Sequence, residues 1–190
     1  MNESITTYTG AHLCPTSPDP QSLHIEDIAH ALSLLCRGNG HVKTFFSVGQ
    51  HCLFCAKEAL ARGYGRQVAL ACLLHDASEA YLSDVPRPFK NNLPQYRQWE
   101  SQMLCVIYTK FLGRPLTQKE EAQVKEIDDD FLYYDLLHLL NEPSSRPAPQ
   151  IFIDFSYDVL PFEEVEEAYL SLFFQLQKEE CIHAYLNARQ

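Results

Sequence analysis

The sequence contains no apolar run approaching the roughly 20 residues that a helix needs to cross a bilayer. It also lacks a basic segment followed by an apolar core near its N-terminus, the pattern of a secretory signal peptide. Basic residues are scarce, because 15 lysines and arginines stand against 25 acidic residues and give a net charge of -10. Since this charge repels phosphate backbones and anionic lipids, we expect no nucleic-acid or membrane partner. The missing signal and membrane-spanning patterns predict a cytoplasmic location.

No disulfide framework is indicated either. The seven cysteines are odd in number, and several lie inside apolar helical patterns, which favours free thiols in a reducing compartment. Cys52 and Cys55 are spaced as a CxxC pair, but the second pair that a structural zinc site needs is absent. We therefore interpret both as small buried residues of a helix.

The chain shows no internal repeat, low-complexity tract or linker that would divide it. We expect an extended, proline-containing N-terminal arm at residues 1–22, followed by a single domain at residues 23–190. Apolar residues recur at helical spacing through most of this domain. The predicted fold is an all-α bundle of five or six main helices, with a short strand or hairpin near 151–155.

Capping boxes mark the start of two helices. Ser47 with Gln50 and Thr117 with Glu120 each pair a hydroxyl cap with an amide or carboxylate three residues later. The first box predicts a helix whose first turns contain His51. The second predicts a later helix that carries an acidic run.

A charged cluster follows the most apolar segment of the chain. Residues 68–74 are apolar on every side and predict a central helix, whose last turns carry His75, Asp76 and Glu79. A buried helix rarely carries such groups unless they are paired or bound to a cation. At helical spacings of three and four, these side chains can face one cavity. This arrangement suits a metal ion with an acidic group beside it.

The ligand types indicate which metals are suitable. Imidazoles and carboxylates, with no thiolate among them, favour one borderline divalent ion: Mn, Co, Fe, Ni or Zn. His75 and Asp76 alone supply too few ligands, so we consider His51 as a third and an aspartate of 128–130 as a fourth. The acidic run also fits a solvated helix face, and we expect that role for at least one of its members.

Three segments together resemble one protein family: Ser47-Val48-Gly49-Gln50-His51, His75-Asp76-Ala77-Ser78-Glu79-Ala80 and Asp84-Val85-Pro86-Arg87-Pro88-Phe89-Lys90. They are similar to motifs of the HD-domain phosphohydrolases, particularly the 5'-deoxynucleotidase and small deoxynucleotide-triphosphohydrolase branch. The similarity covers most of the chain from Ile25 to Leu140. It implies an HD-type bundle, one divalent metal ion, a small nucleotide substrate and a homo-oligomeric assembly.

The same resemblance implies roles for individual residues. The implied metal ligands are His51, His75, Asp76 and Asp128, with Asp129 as the alternative for the last position. Glu79 and Asp84 are the implied catalytic carboxylates, the first acting on water and the second protonating the leaving oxygen. The implied phosphate-binding residues are Arg37, Lys90, Lys43 and His41.

One position departs from the family pattern. Relatives often carry an aromatic residue directly after the substrate arginine, where it can contact the sugar or base, whereas Gly38 follows Arg37 here. The departure implies either relaxed base recognition or recognition by another aromatic residue. The candidates for that role are Phe45, Phe46 and Tyr81.

The motifs leave the reaction partly open, because they do not separate phosphate release from a monophosphate and tripolyphosphate release from a triphosphate. One alternative is a non-catalytic regulator that binds a nucleotide or metal at an HD site. The presence of both Glu79 and Asp84 favours an enzyme over it. Another alternative is an HD phosphodiesterase, but we find no additional histidines at the helical spacing that a second metal requires.

Overall fold

The computed structural model describes residues 3–187, and the side chains of residues 3–177. The ends of the predicted arm and domain, residues 1–2 and 188–190, lie outside it, as does the side chain of Cys181. The described residues are mostly helical, which confirms the predicted all-α class. Within the described range, no helix combines the length and apolarity needed to cross a membrane.

A small hairpin precedes the helices. Its antiparallel strands are β1 (Ile5–Thr6) and β2 (His12–Leu13). The helices are α1 (Ile25–Leu34), α2 (Val48–Ala61), α3 (Arg66–Leu74), α4 (Glu79–Leu82), α5 (Arg87–Lys90), α6 (Pro94–Leu112), α7 (Gln118–Leu140) and α8 (Phe162–Asn187).

Helix α3 lies at the centre of the fold. All of its residues from Val68 to Leu74 are buried, as their apolar character predicts. The helix packs against α2, α6, α7 and α8. The buried Tyr169 hydroxyl of α8 donates a hydrogen bond to the Leu73 carbonyl at 2.6 Å. The end of α3 is therefore fixed from several sides.

Both predicted capping boxes are present. The Ser47 hydroxyl accepts the N–H of Gln50 at 3.1 Å, and the Gln50 side chain accepts the N–H of Ser47 at 3.3 Å. Thr117 and Glu120 form the same pair of bonds at the start of α7. These caps fix where α2 and α7 begin. The distance of His51 and Asp128 from the start of their helices is thereby fixed as well.

The chain leaves the helical path earlier than predicted. Helix α3 ends at Leu74, and turns cover residues 75–78 before α4 begins at Glu79. The Cys72 carbonyl, which a continuing helix would offer to the amide four residues later, accepts the His75 ring Nδ1–H at 2.6 Å. The predicted continuation through Glu79 is wrong because this side chain competes with the backbone for its acceptor.

The predicted short strand or hairpin near 151–155 is also wrong, since no strand forms there. The amides of Phe152 and Ile153 donate instead to the buried Glu58 carboxylate of α2, at 2.9 and 3.2 Å. A side-chain acceptor thus replaces the neighbouring strand that a β-prone segment needs. The hairpin that forms lies at the N-terminus, where Ile5 pairs with Leu13.

The segment 3–22 lies against the helices. Leu13 is fully buried, and the Thr9 amide donates to the buried Asp27 carboxylate of α1 at 2.7 Å. Lys110 of α6 donates to the Pro20 carbonyl at 2.6 Å. These contacts attach the segment to α1 and α6.

Gly49 allows α1 and α2 to approach closely. A Cβ atom at this position would lie 3.2 Å from the Leu32 carbonyl oxygen and 3.1 Å from Val165 Cγ1. The backbone of α1 cannot move away without disturbing a close-packed core. The helix that carries His51 is thereby held against both α1 and α8.

Gly49→Ala is expected to lower the free energy of unfolding by about 1–3 kcal/mol, because overpacking outweighs the gain in helix propensity. Urea denaturation followed by far-ultraviolet circular dichroism measures the change. Lys57→Ala, at an exposed position of α2, is the matched control and should remain close to the wild type. An alanine variant as stable as the wild type would contradict the tight crossing.

Candidate metal centre

The four predicted metal ligands lie together between α2, α7 and the turn after α3. His51 Nε2 is 3.2 Å from Asp128 Oδ1 and 4.0 Å from Asp76 Oδ2. His75 Nε2 is 3.3 Å from the same Asp76 oxygen and 3.7 Å from the same Asp128 oxygen. Ligand atoms bound to one ion at about 2.1 Å lie about 3–4 Å from each other. The spacing of this cluster therefore suits a single cation.

His75 presents one ring nitrogen to the cluster. Its Nδ1–H donates to the Cys72 carbonyl, which leaves the lone pair of a neutral ring on Nε2. Nε2 is buried without a hydrogen-bond partner among the described residues, and the side chain is only 8% exposed. A buried polar nitrogen without a partner is costly, and a bound cation removes that cost. The residues present fit a metal ion on this observation.

The charges of the cluster alter proton affinities. Burial works to lower the pKa of His75, but the carboxylates of Asp76 and Asp128 hold it well above its usual range. Burial works to raise the pKa of Asp128, but bonds and charges from His51 and His75 hold it well below its usual range. The raised pKa of His75 thus favours the protonated ring, whose charge offsets the carboxylates. A metal ion that binds here has to displace a proton.

Asp135, a buried residue of α7, orients His51 from behind. Its Oδ2 is 3.4 Å from His51 Nδ1, and its Oδ1 accepts the Tyr157 hydroxyl at 2.8 Å. Burial works to raise the pKa of Asp135, but Arg37 and His51 bring it down to about 2. The ionised carboxylate directs Nε2 of His51 toward the cluster, as outer carboxylates do for metal-binding histidines.

Arg37 connects this outer carboxylate to the cluster. Its Nη1 donates to Asp76 Oδ2 at 3.3 Å, and its Nη2 donates to Asp135 Oδ2 at 2.8 Å. Burial works to lower the pKa of the guanidinium, but the carboxylates of Asp135, Asp76 and Asp128 raise it well above its usual value. Arg37 also lines the adjoining pocket. It therefore balances the acidic cluster and presents positive charge to a ligand.

The three aspartates of the acidic run have different partners. Asp128 faces the two imidazoles, whereas Asp130 accepts from Arg62 Nη2 at 2.9 Å. Arg87 Nη2 donates to Asp128 Oδ2 at 2.8 Å and to Asp129 Oδ1 at 3.0 Å. Of the two aspartates considered as the distal ligand, the fold presents Asp128 to the imidazoles.

A pocket of about 480 Å³ opens beside the cluster. Asp76 and Asp128 contribute to its lining, so the cluster faces it. Its charged lining residues also include Arg37, Glu79, Asp84, Arg87 and Lys90. Its apolar wall contains Val42, Leu132, Leu136, Leu139 and Leu140. Most of the predicted catalytic and phosphate-binding residues thus meet in one pocket.

The two predicted catalytic carboxylates have different surroundings. Glu79 is buried, with one oxygen 3.3 Å from Lys90 Nζ and the other without a hydrogen-bond partner among the described residues. Burial and the charges of Asp76 and Asp84 raise the pKa of Glu79 well above its usual range. Asp84 Oδ2 accepts the backbone N–H of Gly38 at 3.0 Å. Glu79 is thus the member of the pair that holds a proton more readily than an ordinary carboxyl.

Two predicted phosphate-binding residues do not line the pocket. His41 and Lys43 are exposed, and the Lys43 N–H joins their loop to α7 by donating to the Leu139 carbonyl at 2.9 Å. The three aromatic candidates for base recognition are likewise outside the lining: Phe45, Phe46 and Tyr81. The apolar wall of the pocket is therefore aliphatic.

Asp135 and Arg87 contact the cluster but are not among the residues predicted from the sequence to have this role. Asp135 follows Asp128 by two helical turns, within a buried stripe of α7 that otherwise carries Phe131 and Leu139. An acid inside an apolar stripe was the available signal. Arg87 lies within the third motif, but no sequence pattern indicates that it reaches Asp128.

Two thiols adjoin the imidazoles, although the predicted ligand set contains no thiolate. Cys55 Sγ is 3.5 Å from His51 Nε2, and Cys52 Sγ is 3.9 Å from His75 Nδ1. Ligand atoms of His51, Cys55 and His75 lie within 4.8 Å of one another, as do those of Cys52, His75 and Asp76. Both thiols are buried, as predicted, and burial raises their pKa. The ionised carboxylates are therefore the better ligands for a hard ion such as Mn.

No family model matches the sequence. The chain is 36% identical over 107 residues to "Uncharacterized protein YfdR" of Escherichia coli strain K12, covering 56% of this chain and 57% of that protein. It is 34% identical over 109 residues to "Uncharacterized protein RCAP_rcc00048" of Rhodobacter capsulatus, covering 54% of this chain and 55% of that protein. The chain thus spans about half the length of the curated relatives it matches.

Asp128→Asn is expected to lower the affinity for Mn ions by more than the roughly 10- to 100-fold that loss of an outer partner costs. The reason is that a direct ligand and its charge are removed. Asp129→Asn is the matched control, since the same helix and the same Arg87 contact are involved but the imidazoles are not. Calorimetric titration measures both constants, and equal losses in the two variants would contradict the assignment.

Metal binding is expected to release a proton from His75, because ligation needs the neutral ring and the pKa of His75 is raised. The apparent affinity should fall about tenfold for each unit of pH below that raised pKa. Calorimetry in buffers of different ionisation enthalpy counts the protons. Glu79→Gln is the control that removes the proton of Glu79, and an affinity independent of pH in that variant would contradict the role of His75.

Proposed function

We propose that this chain is a metal-dependent phosphohydrolase of the HD-domain type that acts on small nucleotides, with deoxynucleotides as the preferred class. One observation carries the proposal. Ligands from α2, from the turn after α3 and from α7 meet at a pocket that is also lined by four further carboxylates, two of them Glu79 and Asp84, and by three cationic side chains. A purely structural ion-pair cluster has no need of an adjoining pocket with this composition.

The cations of the pocket suit a phosphate group despite the net charge of -10. Arg37 is held by Asp76 and Asp135, so its position is fixed before a ligand arrives. Arg87 is 56% exposed and can turn from its aspartate partners toward a phosphate, which it can contact with two N–H groups. Lys90 lies between Glu79 and Glu100 at the same pocket. A bound divalent ion, together with these cations, would act on a phosphate at shorter range than the distant acidic surface.

The carboxylates suit proton transfer. When bound, a divalent ion polarises a phosphoryl oxygen and lowers the pKa of water. The raised pKa of Glu79 favours it as the residue that holds a proton and gives it to the departing oxygen. Asp84, whose position is fixed by the Gly38 amide, then accepts the proton of the attacking water. This order is the reverse of the one expected from the sequence.

The aliphatic wall suits a nucleoside whose base is not read by hydrogen bonds. Leu132, Leu136 and Leu139 follow one another along α7 and offer dispersion contacts but no polar group. The pocket volume of about 480 Å³ falls in the range of roughly 300–1,000 Å³ found for small-molecule sites. We therefore propose relaxed base recognition.

The proposal is tested by incubating the protein with Mn or Co ions and deoxynucleoside mono- and triphosphates. Ion chromatography is expected to find inorganic phosphate from the first class or tripolyphosphate from the second. Glu79→Gln and Asp84→Asn should each lower kcat by about 100- to 10,000-fold while metal binding persists. Glu121→Gln, an exposed carboxylate of α7, is the control.

The two alternatives predict different results in the same assay. Full metal binding without turnover of any nucleotide, under several metals, would contradict the enzyme and favour a regulator. Turnover confined to cyclic nucleotides would favour a phosphodiesterase.

A further inference from the structure

The Cys55 thiol adjoins the metal centre from its buried side. Its Sγ is 3.5 Å from His51 Nε2, the same nitrogen that lies 3.2 Å from Asp128 Oδ1. Asp76 and Asp128 line the pocket, whereas Cys55 does not and is only 1% exposed. One imidazole nitrogen therefore has a carboxylate on its pocket side and a sulfur on its inner side.

The separation of these two atoms suits a common ion. With metal–nitrogen and metal–sulfur bonds of about 2.1 and 2.3 Å, a tetrahedral angle places the two ligand atoms about 3.6 Å apart. His75 Nε2, buried and without a hydrogen-bond partner among the described residues, is the second observation that indicates a ligand here. The ligand atoms of all three residues lie within 4.8 Å of one another.

The neighbouring thiol of Cys52 is placed differently. It contacts His75 Nδ1 at 3.9 Å, and that nitrogen already donates its proton to the Cys72 carbonyl at 2.6 Å. An ion held through that nitrogen would break the hydrogen bond that ends α3. Cys52 and Cys55 are nevertheless equally buried residues of the same helix. Cys52 is thus a matched control for Cys55.

We propose that the centre has a second coordination mode for thiophilic divalent ions such as cadmium and zinc, formed by His51, Cys55 and His75. The thiol loses its proton to solvent as the metal–sulfur bond forms, so the step needs no oxidant or reductant. Soft ions prefer thiolate, whereas Mn prefers carboxylate, so the same two imidazoles serve both modes. This inference rests on the metal centre of the proposed function, but not on hydrolysis.

Cadmium titration tests the proposal in a chain whose less buried or undescribed cysteines are replaced by serine: Cys14, Cys36, Cys105 and Cys181. One equivalent of cadmium is expected to produce the ultraviolet absorption of a thiolate–cadmium bond, and Mn is not. Cys55→Ser and Cys55→Ala should each abolish the absorption. Cys52→Ser should retain it, and circular dichroism checks that each variant is folded.

Three results would overturn the proposal: absorption that persists without Cys55, equal loss in the Cys52 variant, or bound cadmium without any thiolate absorption. The ¹¹³Cd chemical shift, which differs between sulfur and oxygen or nitrogen ligands, provides a second readout. Nucleotide hydrolysis with Mn but no thiolate–cadmium bond would overturn this inference alone. A thiolate–cadmium bond without hydrolysis would support this inference and contradict the proposed function.

Discussion

The structure depends on the balance of charge in one small buried volume. Asp76, Asp128 and Asp135 approach each other around two imidazoles, and their repulsion in a medium of low dielectric constant has to be offset. Arg37 offsets part of it, and a proton on His75 or a bound cation offsets the rest. The central position of α3 and the close crossing of α1 and α2 hold the side chains together against this repulsion.

The elements predicted well are those whose signals are local. The capping boxes at Ser47 and Thr117 mark the starts of α2 and α7 because a cap is satisfied within its own first turn. The ends of α6 carry local signals of the same kind, with Pro94 as its first residue and Gly113 as its left-handed cap. The His75–Asp76 pair was recognisable because charged groups after a wholly apolar segment require a partner.

The features that sequence reasoning did not find are set by distant contacts. Asp135 matters because the register between α2 and α7 brings it to His51, and no local pattern encodes that register. The segment 151–155 looks β-prone, yet the buried Glu58 takes the hydrogen bonds that a strand would have made. Cys55 was interpreted correctly as a buried residue, but its proximity to a ring nitrogen of the preceding turn depends on which rotamers the core allows.

The hydrogen bond from the His75 ring to the Cys72 carbonyl couples the end of helix α3 to the orientation of the imidazole. One imidazole both terminates α3 and aims its remaining nitrogen at the carboxylates, so neither role can be altered separately by changing that residue. A chain that lost this histidine would lose a helix terminator along with a proposed metal ligand. Selection for a well-formed α3 and selection for the ring's chemistry therefore act on the same side chain.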